Sequence, residues 1–121
     1  PWEAFDGREL ARTVGRTHAA VERAHDKAGT ATPVERALIG ALRARYPRAE
    51  AVEDPAVWNA PYADAMRVVH ASAPDDPDVA ALCADALMNL TPWQLWDLRT
   101  GRPAEGARTL EAKAVLERAL A

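Results

Sequence analysis

The chain has 121 residues, 49% of them apolar, with a formal charge of −3 and a pI near 5.6. That is length enough for one compact domain, and the mild acidity argues against nucleic acid as a partner. No apolar run approaches the roughly 20 residues a membrane span needs, and the lone Cys83 excludes an internal disulfide framework and a thiolate-rich zinc site. Alanine fills 28 positions against nine valines, one isoleucine and one phenylalanine, a composition that favours helix over sheet.

The predicted elements are helices with recognisable starts and stops. Asp6 followed by Glu9 has the pattern of a capping box; Leu10, Val14, Val21 and Ala24 then share a face, and Gly29 is the expected stop. A second helix opens at Thr32-Pro33-Val34-Glu35, with Thr32 as cap, Pro33 at the first helical position and Glu35 closing the box. Its stripe is Val34, Leu38, Ala41 and Leu42, and Pro47 ends it. The third helix has two candidate starts. Asp54-Pro55 is a good cap and first turn, but Pro61 would then kink the interior, so the regular helix begins near Asn59-Ala60-Pro61 or a short turn precedes it.

Beyond Pro61 the apolar face is Tyr62, Ala65, Met66 and Val69, ending before Pro74. Asp76-Pro77-Asp78 starts the fourth helix, whose stripe is Val79, Leu82, Ala86, Leu87 and Leu90. Thr91 to Leu98 reads as a further short helical turn capped by Thr91, and Thr100-Gly101-Arg102-Pro103 as a turn. A last helix carries Leu110, Val115, Leu116, Ala119 and Leu120, with its start between Gly106 and Thr109. The sum is about five helices with short connections and no strand.

Six stretches carry a resemblance. The run Ala71-Ser72-Ala73-Pro74-Asp75-Asp76-Pro77-Asp78-Val79 looks like a junction between tetratricopeptide repeats, with Ala84 and Leu87 in small and bulky slots. Pro1-Trp2-Glu3-Ala4-Phe5-Asp6, Thr32 to Ile39, Ala63 to Met66, Ala86 to Asp97 and Thr109 to Ala112 resemble the interior of large bacterial tetratricopeptide-repeat proteins. The resemblance implies an all-α fold, with residues 1–121 as a single domain of antiparallel helix pairs stacked into an α-α superhelix. It implies a scaffold and carries over no catalytic residue. The opening at Pro1 without an initiator Met, and the apolar-periodic ending at Leu116 to Ala121, lead to the expectation of a fragment of a longer protein.

Few side chains are arranged for chemistry. His18, Glu22 and His25 can share a helix face, but the two histidines stand two turns apart, about 10 Å, too far for one ion. A solvated face is the reading taken. Cys83 lies in an apolar stretch and reads as inert core, since a nucleophile would need a base such as His70 beside it. Asp75, Asp76 and Asp78 lack the glycine and closing glutamate of a calcium loop and read as capping residues. Neither cofactor nor metal is expected.

The aromatics are the better lead. Trp58 and Tyr62 stand at i and i+4, and Trp93 and Trp96 at i and i+3; they either fill gaps between alanine-rich helices or form an anchor surface with Arg99 and Arg102. The expected function is a non-catalytic interaction scaffold presenting a groove to a protein or peptide, in the cytoplasm, without nucleic acid or membrane. The second reading is a helical support domain of an enzyme whose site lies elsewhere. Leu110, Leu116 and Leu120 further predict self-association through the last helix.

Overall fold

In a computed structural model, residues 5–121 are described; the Pro1-Trp2-Glu3-Ala4 part of the resemblance lies outside the described residues. Among the described residues there are five α-helices: α1 (Gly7–Lys27), α2 (Pro33–Arg45), α3 (Asn59–Ser72), α4 (Pro77–Met88) and α5 (Thr109–Ala119). Two two-residue strands, β1 (Trp96–Asp97) and β2 (Arg102–Pro103), lie between α4 and α5. The chain is all-α apart from this ladder. It divides into two compact units, one up to Ala65 and one from Met66 to Ala121, with the division inside α3. No described helix is long and apolar enough to cross a membrane.

The helix starts follow the side-chain chemistry. The Asp6 carboxylate accepts from the backbone N–H groups of Arg8 and Glu9, covering donors that the first turn leaves without partners. Thr32 and Glu35 form the full reciprocal box: Thr32 Oγ1 accepts from Glu35 N, and the Glu35 carboxylate accepts from Thr32 N at 2.7 Å. The Thr32 backbone N–H, followed by the Thr32 hydroxyl, holds the Glu35 carboxyl below the ordinary carboxylate value. Asp76 caps α4 by accepting from Asp78 N and Val79 N. At the third helix both predicted starts are used in sequence. Asp54 caps a 3₁₀ turn at Pro55–Trp58, and α3 follows from Asn59, so Pro61 falls in the first turn, where its missing N–H costs nothing.

In the first unit α1 packs on α2, with Val14, Val21 and Ala41 buried. The segment after α2 is drawn onto α1. His18 Nδ1 lies 2.8 Å from the Tyr46 carbonyl, and a Cβ at Gly15 would stand 3.4 Å from the Ala49 carbonyl oxygen. In the second unit α4 packs on α5, and Val79, Ala80, Cys83, Ala84, Ala86, Leu87 and Ala112 are buried. Arg67 on α3 grips Glu111 on α5 with two nitrogens, Nη2 standing 2.8 Å from Oε2. This bidentate bond holds the Glu111 carboxyl below its usual range.

One sequence expectation is corrected. The stretch from Thr91 to Leu98 is not a helical turn. Trp93 adopts φ +65°, which a right-handed helix excludes, and the chain then enters the ladder that pairs Trp96 with Pro103 and Asp97 with Arg102. Thr91 therefore caps nothing, and its buried hydroxyl has no hydrogen-bond partner among the described residues. On α5 the leucines expected to lie uncovered are so. Thr109 and Ala112 are the buried positions, whereas Leu110, Leu116 and Leu120 are exposed.

Candidate protein-interaction surface

The connection from α4 to α5 is a hairpin, and local polar chemistry fixes its shape. Past β1 the chain reverses over Leu98-Arg99-Thr100-Gly101. Asp97 organises this reversal: its carboxylate accepts from Arg99 N and from the Thr100 hydroxyl, each at 2.9 Å, and its carbonyl accepts from Gly101 N at 2.8 Å. Gly101 closes the turn at φ +67°, a conformation glycine adopts without a Cβ penalty. The Thr100 hydroxyl, followed by the Arg99 N–H, lowers the Asp97 carboxyl below the ordinary aspartate value. Pro103 has no N–H to give, so it suits a two-strand ladder with open edges. The base is tied to the helix that follows, since the Thr109 hydroxyl donates to the Leu95 carbonyl at 2.6 Å.

This framework holds large apolar side chains in solvent. Trp93 is 96% exposed and Leu98 94%, with Trp96 at 43%. Trp93 is also the one non-glycine residue at positive φ among the described residues, a conformation that costs roughly 1–2 kcal/mol for an L-residue. Arg99 and Arg102 of the same connection are exposed, and Arg99 Nη2 stands 3.7 Å from the Asp97 carboxylate. The α4–α5 connection thus presents indole, leucine and guanidinium groups to solvent.

The other two aromatic candidates belong to the first unit. Trp58 is 5% exposed and serves as core. Tyr62 is half-buried with the Arg45 guanidinium 5.5 Å above its ring, and Arg45 also donates to Asn59 Oδ1. Of the six residues the sequence singles out, Trp93, Trp96, Arg99 and Arg102 thus lie in the one connection between α4 and α5. Sequence reasoning missed Leu98 and Asp97. The Asp97-to-Gly101 spacing, a turn-forming aspartate ahead of a Thr-Gly pair, is the signal that marks the reversal and so exposes Leu98.

The groups considered for chemistry are either paired or buried. Glu22 forms a two-point pair with Arg43, at 2.9 and 3.1 Å, and His25 Nε2 lies 3.5 Å from the same guanidinium. Cys83 is 1% exposed, and burial pushes its thiol pKa up, with the Glu111 charge adding to that and Arg67 opposing it. His70 Nε2 is buried with no hydrogen-bond partner among the described residues.

A second surface feature lies on the same unit. Met88, Leu95, Thr109, Ala112, Lys113, Leu116, Glu117 and Leu120 enclose an open groove of about 250 Å³ with almost wholly apolar walls. No family model, no curated protein and no solved structure matches the chain.

Proposed function

We propose that the chain is a non-catalytic interaction module that presents the exposed connection between α4 and α5 to a protein or peptide, as part of a tetratricopeptide-type helical array. The observation that carries the reading is Trp93, held at φ +65° with its ring 96% exposed. Backbone strain that packs nothing in its own chain is spent where function draws on it. An indole anchor covers a large area at low entropic cost, and neighbouring guanidinium groups suit carboxylates. The partner is therefore a segment with an apolar side chain flanked by Asp or Glu. The α1·α2 pair and the side-chain caps of α1, α2 and α4 support the repeat-array part of the reading.

Panning a random-peptide library against the chain tests this. Enriched peptides should carry an apolar residue beside acidic ones, shift tryptophan fluorescence on binding and lose about thirtyfold or more in affinity to Trp93→Ala, since anchor residues of this kind cost about 2 kcal/mol or more. Enrichment of peptides indifferent to Trp93→Ala and Leu98→Ser would overturn it.

A further inference from the structure

The exposed face of α5 is complementary to itself. At about 100° per residue, positions 110, 113, 116, 117 and 120 fall within a sector of roughly 120°. Leu110 is 58% exposed and Leu120 88%, and Leu116 forms part of the groove wall beside Met88 and Leu95. Lys113 and Glu117 sit among these leucines and line the same groove. Their order along the chain gives the face its symmetry. Leu110 and Leu120 lie equally far from position 115 on either side, and so do Lys113 and Glu117.

We propose that α5 is a homodimerisation helix that pairs antiparallel with α5 of a second copy about a two-fold axis at position 115. In that register Leu110 meets the second copy's Leu120, and Lys113 meets its Glu117. Both contacts occur twice, as an isologous interface requires. The two Leu116 side chains, one residue from the axis, pack against each other over the mouths of the two grooves, so the apolar walls of Met88 and Leu95 leave water in both copies.

Charge selects this occupant. Lys113 already donates to Glu117 within the helix, and the second copy turns that pair into a closed four-charge square with no net charge. Within one helix, Lys ahead of Glu is the less favourable order for an i,i+4 pair, so the intrachain contact alone is a weak use of these residues. A parallel arrangement would place like charges side by side. The surface is separate from the exposed Trp93 and Leu98, since neither lines the groove.

Sedimentation velocity across a dilution series of the whole chain tests the proposal. The wild type should rise in mass toward a dimer as concentration increases. Lys113→Glu should raise the dissociation constant at least about fivefold, Glu117→Lys should do the same, and the double exchange should restore it because opposite charges again face each other. Leu120→Ser should weaken the dimer, while Trp93→Ala leaves it unchanged. Helical circular dichroism, measured at a concentration where the chain is monomeric, confirms that each variant is folded. A chain that stays monomeric at the highest concentration, or a double exchange no better than either single change, overturns the proposal.

Discussion

Helices α4 and α5 pack on each other and carry similar leucine-bearing sequences, yet they differ in almost everything that fixes a helix. α4 is capped by Asp76, opens on Pro77 and buries Val79, Ala80, Cys83, Ala84, Ala86 and Leu87. α5 has no side-chain cap bond at Arg108, buries only Thr109 and Ala112, and leaves three leucines in contact with solvent. One helix is held by its own chain. The other gives its small residues to the core and keeps its large ones outside. Apolar periodicity therefore reports that a helix forms, but not which way its large side chains face.

The sharpest way to break this comparison is to truncate one leucine in each helix. Leu87 is fully buried, so Leu87→Ala should cost about 2–5 kcal/mol through lost transfer energy and the cavity left behind. Leu120→Ala, measured by urea denaturation at low protein concentration, should stay within about 0.5 kcal/mol because the side chain is already in water. Equal losses at the two positions would erase the distinction.

Next in size are the caps. Asp76→Ala removes the acceptor for two backbone N–H groups and should cost about 1 kcal/mol, whereas Arg108→Ala removes no cap bond and should be near neutral. The same denaturation curves read both.

The smallest effect concerns the hairpin that joins the two helices. Asp97 has its pKa depressed in the folded chain, so its carboxylate contributes to the turn above the ordinary value near 3.8. That contribution disappears as pH falls through the lower folded value. The amide resonances of Arg99 and Gly101 should therefore hold steady from neutral pH to about 4 and move only below it, with the Asp97→Asn chain showing no such titration. Movement already at pH 6 would assign the turn to another group.

The helix starts were legible because a cap is a local bargain between one side chain and the next three backbone donors. Asp6, Thr32, Asp54 and Asp76 each do what their position in the sequence announces. The reversal at Thr100-Gly101 was legible for a related reason, since glycine alone adopts its φ without penalty. Trp58 and Trp93 were not separable by the same means. Both are large, apolar and placed near a proline, and one is core while the other stands in solvent.

What the sequence by itself determined is the all-α character of this chain and the sites where its helices begin. Those properties depend on neighbours within about one helical turn. Only the tertiary structure decided that the chain leaves α4 through a ladder rather than a further helical turn, that Leu98 stands in solvent, and that α5 turns Ala112 inward. The reason is geometric: the spacing of a stripe fixes which residues share a face, but the rotation of a helix about its axis is set by what it packs against. Against alanine-rich α4, the close approach that small side chains permit puts Ala112 inside and leaves the leucines facing out.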